Sequence, residues 1–363
     1  MNFCLTVLLI TVSGASLATE NLPDFAVKGS LTERLEQAGT LKNVIEKTEV
    51  ISACEIERKQ ASTLSDIISS EPGIRVSAEC SMCGMKRVMI NGLKGEHTTI
   101  LVDGVPMHTV VSGFYGVDAI TSAGIEQIEV ARGSGASLIA PEAIGGTINI
   151  ITKKARKNEV ILDVSSGEDG YKKYSAVATG VSKDGKTRAT LSGQYDNIDQ
   201  FDGDDNGVNE SPALENHAIM GKISHDIGDN DHIDVRVANY KSDVFGGPTG
   251  VGKFKAVSSE ANATGADLFQ NGDVNQTFTG DPWETLEAIE TTRDEWILRW
   301  THQIDRDSNW VLTGSRIMHK QDSYYEGVDY KNENEILYFD GKYNLAMGEN
   351  HFLTLGLDYR DET

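Results

Sequence analysis

An alternation of apolar and polar residues, repeated in about nine segments after residue 157, constrains this chain most. Over 353–359 every second residue is Leu or Tyr, and Thr354, Gly356 and Asp358 lie between them. A period of two places alternate side chains on opposite faces of a β-strand, so each segment predicts a strand with one apolar face. The predicted strands are 159–166, 171–182, 186–196, 216–226, 231–241, 293–304, 309–320, 335–345 and 351–360.

The connections between these strands alternate between short and long. Those after the second, fourth, sixth and eighth strands are turn-like, as in Lys183-Asp184-Gly185, whereas the connection over 241–292 is long. Tight turns on one side and long loops on the other are typical of an outer-membrane β-barrel, and a soluble β-sandwich would show them only by chance. The aromatic-rich faces would then contact lipid. We expect Trp296, Trp300, Tyr343 and Tyr359 to lie near the interfaces between lipid and water.

Composition and motifs argue against several other classes of protein. The 363 residues include 33 Lys and Arg and 55 Asp and Glu, which gives a formal net charge of −22. We expect no nucleic-acid partner, because phosphate binding needs a surplus of Lys and Arg on some face. We also expect no enzyme, since the chain has no nucleophile elbow, phosphate-binding loop or His-Glu-x-x-His motif.

The first residues read as an export signal. The apolar run over 3–15 is followed by Ser16-Leu17-Ala18, a small-x-small pattern typical of signal peptidase sites. We predict a signal peptide over 1–18 and a flexible polar leader over 19–40. A buried apolar strand is the alternative, because no Lys or Arg precedes the apolar run.

Helix and strand signals mix between residues 41 and 157. The segment 53–70 reads as a helical region that Pro72-Gly73 ends. Short β-type runs follow at 87–91, 98–102, 125–130 and 147–152. Asp103-Gly104 is expected to join two apolar strands as a turn, and simple turn chemistry would account for both residues.

Five motifs occur in order across this region. They are the segment from Glu55 to Gly73 with Leu64-Ser65-Asp66-Ile67 and Glu71-Pro72-Gly73, then Val88-x-Ile90-x-Gly92, Thr99-Ile100-Leu101-Val102-Asp103-Gly104-Val105-Pro106, Ile125-Glu126-Gln127-Ile128-Glu129-Val130-x-Arg132-Gly133 and Ala143-Ile144-Gly145-Gly146-x-Ile148-Asn149-Ile150-Ile151-Thr152. Together they resemble the plug domain of TonB-dependent outer-membrane receptors. Ser134 departs from the family pattern, in which Pro usually follows Arg-Gly. The resemblance implies a mixed α/β plug over 41–157, followed over 158–363 by antiparallel transmembrane β-barrel strands in the outer membrane of a Gram-negative bacterium.

The resemblance also implies a function. Such receptors capture a scarce metal chelate, commonly an iron-siderophore, haem or cobalamin, and import it when the TonB complex pulls on an N-terminal box. The candidate box is Asp24-Phe25-Ala26-Val27-Lys28. An extended segment of this kind can pair with the edge strand of a partner through its backbone.

Two plug loops would face the ligand according to the same resemblance. Their candidate contact residues are Cys80, Met82, Cys83, Met107, His108, Phe114 and Tyr115. In an oxidising periplasm Cys80 and Cys83 are expected to form a disulfide; binding of a soft metal with Met82, or a redox role, is the alternative. His97 and His108 would be available to haem, although histidines in loops are usually solvated.

An acidic loop after the third predicted strand is a candidate calcium site. Asp202-Gly203-Asp204-Asp205-Asn206-Gly207 follows the opening of a calcium loop, but Ala213 stands where the bidentate Glu is expected. Glu210 or Glu215 would then have to substitute. The cobalamin-receptor branch of the family places calcium in early extracellular loops, and a solvated acidic loop is the alternative. The predicted Ca²⁺ ligands are Asp202, Asp204, Asp205 and Asn206.

The strand count predicts an incomplete barrel. A barrel of this family is expected to have about 22 strands, whereas about nine fill 159–360. We therefore expect a truncated or split chain, whose barrel a second chain would complete, because a barrel must close to remove its edges. The alternatives are a non-transporting receptor remnant and a ligand-binding or signalling plug protein. A soluble adhesin or lectin would require the five motifs to be coincidence.

Overall fold

A computed structural model describes most of the chain from Thr48 onward. The described residues are 48–61, 63–80, 84–107, 120, 122–133, 143–205, 207–247, 249, 286–325, 328–347 and 351–363. The predicted signal peptide, the leader and the candidate box at 24–28 lie outside them. Among the residues described, we find no helix able to span a lipid bilayer.

The N-terminal unit, which is the described part of 48–157, contains a five-stranded sheet and a separate hairpin. The sheet has the order β1-β6-β7-β4-β5, in which β4 and β7 are parallel and the other pairs are antiparallel. Its strands are β1 Thr48–Ser52, β4 Thr98–Val102, β5 Val105–Pro106, β6 Ile125–Arg132 and β7 Gly146–Thr152; the hairpin consists of β2 Ile74–Cys80 and β3 Met85–Ile90.

Two short helices pack against this sheet where the sequence predicted one helical region. They are α1 Ala53–Lys59 and α2 Leu64–Ile68, and each begins with a capping box, Ser52 with Glu55 and Thr63 with Asp66. The reciprocal bonds satisfy backbone N–H groups that a helix start leaves free. Gln60 adopts a left-handed φ of 52°, which ends α1 and explains the break. The hydrophobic core of the unit includes Leu64, Ile67, Ile68, Ile90, Ile128, Ile148 and Ile150.

The nine predicted strands are confirmed as one antiparallel nine-stranded sheet in sequential order. Its strands are β8 Glu159–Ser166, β9 Lys172–Val181, β10 Thr187–Ile198, β11 Ala213–Ile227, β12 Asp231–Gly246, β13 Glu287–Gln303, β14 Ser308–Tyr325, β15 Val328–Met347 and β16 His351–Glu362. The sheet does not close on itself, and β8 and β16 are its edges.

The longest strands extend beyond their predicted ends. Only residues 326–327 separate β14 from β15, so the long connection expected after the seventh predicted strand is wrong. There ion pairs replace an apolar stripe between β14 and β15: Lys320 Nζ lies 2.9 Å from Glu333 Oε1, and Lys331 Nζ lies 4.0 Å from Asp322 Oδ1. Hydrophobic alternation is absent from a ladder of charges, so the sequence pattern ended these strands too early.

The two faces of the nine-stranded sheet differ in exposure as the alternation predicted. On the outer face Leu298 is 54% exposed and Leu357 is 84% exposed. On the inner face, which packs against the N-terminal unit, Thr190 and Arg299 are buried. An apolar exterior with a polar interior is the pattern of a barrel wall that faces lipid.

Aromatic side chains cluster on the outer face near the short connections. The Trp310 and Tyr343 rings lie 5.0 Å apart between centroids, and the Trp300 and His302 rings lie 5.6 Å apart. Interfacial aromatic girdles are a feature of transmembrane barrels, and the interface roles expected of Trp300 and Tyr343 stay a prediction.

Candidate functional site

The turn between β4 and β5 is the centre of the contact between the two units. Asp103 and Gly104 have φ values of 49° and 79°, the left-handed pair that a two-residue hairpin requires and that Asp-Gly favours. The predicted turn is therefore confirmed. Turn chemistry is only part of its role, however, because the Asp103 side chain is buried against the inner face of the nine-stranded sheet.

The Asp103 carboxylate joins three strands from both units. Oδ1 accepts a hydrogen bond from the Thr152 backbone N–H at 3.0 Å, and Oδ2 accepts one from Thr152 Oγ1 at 2.6 Å. Lys222 Nζ on β11 lies 3.3 Å from Oδ2, and Arg236 Nε on β12 lies 3.7 Å from it. Burial alone would raise the pKa of Asp103, but Lys222, Arg236 and Thr152 outweigh it and lower that pKa to about 2.

Four buried cations on the inner face surround this turn, and we call them the cationic strip: Lys222, Arg236, Arg293 and Arg299. Arg299 Nη2 donates to the Asp103 backbone carbonyl, and Arg293 Nη2 donates to the Met107 carbonyl at 3.0 Å. Glu295 bridges two members of the strip, since it lies 2.5 Å from Arg236 Nη2 and 2.7 Å from Arg293 Nε. The strip thus holds the β4–β5 hairpin through side chain and backbone together.

The N-terminal unit supports the turn from behind with a line of buried polar groups. Gly104 N–H donates to Asn149 Oδ1 at 3.0 Å, and Asn149 Nδ2 donates to Glu129 Oε2 at 3.0 Å. All three residues lie within the five-stranded sheet or its turn, where a buried polar group needs a partner. This line fixes the backbone that presents Asp103 to the strip.

A second contact lies around Gly124. Lys173 Nζ donates to the Ala61 carbonyl at 3.2 Å and to Ser122 Oγ at 3.0 Å, and Gln194 Oε1 accepts from Ala123 N–H at 3.1 Å. Gly124 has a φ of 77°, and a Cβ added there would lie 2.6 Å from Ser192 Oγ. The units therefore approach too closely for any larger residue at this position.

The predicted ligand-facing residues separate into three groups. Met107 is 2% exposed and lies in the hydrophobic core, and its contact with a ligand stays a prediction. Cys80 Sγ donates to Glu287 Oε2 on β13 at 3.2 Å, and His97, beside Glu96, is partly solvated. Met82, Cys83, His108, Phe114 and Tyr115 lie outside the described residues, so the disulfide between Cys80 and Cys83 stays a prediction.

The predicted calcium loop brings three carboxylates together. Asp202, Asp204 and Glu210 each place an oxygen within 4.8 Å of the others. Ca²⁺ binds oxygens at about 2.3–2.6 Å, so oxygens on opposite sides of one ion would have this spacing. Asp205 lies outside this group of described carboxylates, and Asn206 is not among the described residues. Of the two proposed substitutes Glu210 is close, whereas Glu215 lies 3.2 Å from His217 on β11.

Comparison with known proteins identifies relatives of both units. A family model described as the TonB-dependent Receptor Plug Domain matches residues 40–147. The chain is 28% identical over 236 residues to the vitamin B12 transporter BtuB of Vibrio vulnificus strain YJ016, covering 63% of this chain and 36% of that protein. It is 29% identical over 205 residues to BtuB of Photobacterium profundum, covering 54% of this chain and 32% of the relative. The matches thus span about a third of these relatives.

Solved structures share the fold at lower identity. The siderophore receptor PirA from Acinetobacter baumannii has a TM-score of 0.67 and 21% identity, over 89% of this chain and 48% of that one. The ferric citrate transporter FecA has a TM-score of 0.66 and 15% identity, over 90% of this chain and 49% of that one. Both similarities extend across the five-stranded and the nine-stranded sheets.

Proposed function

Because this chain carries the plug domain and the barrel strands of a TonB-dependent outer-membrane receptor, we propose that it imports a metal chelate across the outer membrane. The relatives found by sequence are named vitamin B12 transporters, and the solved neighbours are receptors for siderophores and ferric citrate. These names support an iron-siderophore or cobalamin as the substrate class, and haem is carried only by the resemblance to the family.

The observation that carries the proposal is the buried contact between the plug and the barrel strands. A gated importer needs a plug that is held firmly in its resting state and released on demand. Asp103 and the cationic strip supply polar contacts that bind tightly when paired and are costly when broken. Hydrogen bonds around Gly124 add a second point of attachment.

Uptake by cells tests the proposal directly. The chain would be expressed in a Gram-negative strain that lacks its own chelate receptors, together with its natural downstream sequence where one exists. We expect accumulation of labelled cyanocobalamin or of a ferric siderophore, and we expect it to disappear in a strain without TonB. Outer-membrane protein that accumulates none of these chelates would contradict the proposal.

TonB is the proposed energy source, and its proposed contact is the box Asp24-Phe25-Ala26-Val27-Lys28. A cysteine at residue 26 should cross-link to a cysteine in TonB, and Val27→Pro should abolish the cross-link, because proline removes a backbone donor from an edge pairing. Leu31→Pro, which is also an apolar residue of the leader but lies beyond the box, is the matched control and should leave the cross-link intact.

We also propose that the outer face contacts outer-membrane lipid and that the acidic loop binds Ca²⁺. The apolar outer face supports the first point, and the spacing of Asp202, Asp204 and Glu210 supports the second. A second chain that pairs with β8 or β16 remains part of the proposal. After outer-membrane extraction, heat-modifiable migration on gels would reveal a closed barrel, and its absence would contradict closure.

A further inference from the structure

The charges on the inner face of the barrel strands are unbalanced near the plug turn. Glu295 contacts Arg236 and Arg293, and the Asp103 carboxylate contacts Lys222 and Arg236, whereas Arg299 donates to the Asp103 backbone carbonyl. Asp234, which is largely buried, lies 3.2 Å from His232 Nε2, accepts a hydrogen bond from the Ser224 hydroxyl and also attracts Lys222. The Asp103 carboxylate, which belongs to the plug, therefore supplies negative charge that the strip needs.

The strip also has more hydrogen-bond donors than the plug uses. Nη1 of Arg236 and Nη1 of Arg293 are both buried, and neither has an acceptor within the part of the chain that the structure describes. Both guanidinium groups belong to side chains at most 3% exposed. An unsatisfied buried donor is costly, and guanidinium donors match the two oxygens of a carboxylate better than other groups.

We propose that the cationic strip is a carboxylate-binding site of the barrel wall, which Asp103 occupies while the plug is seated. When the turn is displaced, Lys222, Arg236 and Arg299 lose this partner and face the space that the plug leaves. A carboxylate of the passing substrate then takes the place of Asp103. This last step rests on the proposed import, and it assigns carboxylate-bearing chelates as the preferred substrates.

Chemical rescue tests the site without any transport. Asp103→Gly removes the carboxylate and keeps the turn, because glycine accepts the left-handed φ of 49°. The full chain in detergent should show a lower thermal midpoint than the parent protein. Formate should restore more than half of the lost shift and should saturate, whereas formamide and chloride at the same concentrations should not.

Two controls identify the cations as the cause. Arg236→Gln added to Asp103→Gly should remove the response to formate. Asp184→Gly, in the exposed Asp184-Gly185 turn, should behave like the parent protein with and without formate. An equal response of the parent and Asp103→Gly, or a response that survives Arg236→Gln, would overturn the site. If Asp103→Gly fails to fold, refolding yields in formate and in chloride become the readout, and equal yields overturn it.

Uptake separates the site from its use in transport. Arg236→Gln should slow the uptake of a ferric hydroxycarboxylate more than that of a ferric catecholate in the same cells. If Arg236→Gln slows the uptake of both chelates equally, the proposed binding of a substrate carboxylate is wrong. The carboxylate-binding site itself would then still be supported by the rescue with formate. Absence of all uptake by the parent protein would instead count against the proposed function, since formate rescue involves neither TonB nor a chelate.

Discussion

Neutralising Asp103 should loosen the plug in a way that depends on pH. Its pKa falls from 3.8 to about 2 in the folded protein. At about 1.4 kcal/mol for each tenfold change in the acid equilibrium, the ionised carboxylate stabilises the folded state by about 2 kcal/mol relative to the neutral acid. Because the folded pKa is the lower one, this stabilisation is complete at neutral pH, declines as the pH falls below 3.8, and is mostly lost at pH 2.

Hydrogen exchange at β7 measures this effect locally, since Thr152 N–H donates to Asp103. In Asp103→Asn a loss of about 2 kcal/mol should speed the exchange of this amide by about 30-fold at pH 7 when opening is in rapid equilibrium. The difference from the parent protein should shrink toward pH 2, after correction for the intrinsic exchange rate. Asp184→Asn, in an exposed Asp-Gly turn, is the matched control and should leave β7 unchanged.

Two results would refute this reasoning. Unchanged protection of Thr152 in Asp103→Asn at pH 7 would show that the charge is not needed to seat the plug. A difference of constant size from pH 7 to pH 2 would show that the amide side chain of the Asp103→Asn variant weakens protection through its shape or hydrogen bonding. The missing charge would then not be the cause. Either result would remove the electrostatic role assigned to Lys222 and Arg236 at this turn.

Three further predictions address other parts of the protein. Gly124→Ala should lower the thermal midpoint more than Gly133→Ala. Both glycines have a φ near 78°, but only a side chain at 124 would meet the Ser192 side chain. Equal losses would mean that backbone strain alone causes them. Leu298→Arg on the outer face should weaken folding into lipid vesicles by about 2–4 kcal/mol in a urea titration, and no loss would argue against lipid contact. Asp204→Ala should abolish Ca²⁺ binding by calorimetry, and unchanged binding would place the ion elsewhere.

The strands of the nine-stranded sheet were predictable because the two faces of the sheet have opposite polarities, which alternate along each strand. β1 and β2 were missed for different reasons. Thr48–Ser52 has only five residues and no alternation, whereas Ile74–Cys80 alternates apolar and polar residues, so its period of two was an available signal. The left-handed break at Gln60 was missed as well, because glutamine is an ordinary helix residue and only the start of the second capping box at Thr63 marks it.

The site was harder to predict than the fold for a different reason. Asp103 was correctly identified as a turn residue, because the Asp-Gly dipeptide is a local signal. Its ionic partner Lys222 lies 119 residues away, and no local pattern distinguishes a buried lysine that faces a plug from any other inward-facing polar residue. One signal was available: Lys222, Arg236 and Arg299 occupy the polar phase of their strands, where uncharged residues would serve as well.

The position of β1 has a mechanical consequence. Among the described strands, β1 pairs with β6 alone and forms one edge of the five-stranded sheet, whereas the β4–β5 turn with Asp103 lies at the opposite edge. A force applied to the chain ahead of Thr48 therefore loads the β1–β6 pair before it reaches β7 or β4. Detaching β1 breaks none of the contacts of Asp103. We therefore expect β1 to separate from β6 under load while the turn with Asp103 still holds the N-terminal unit against the nine-stranded sheet.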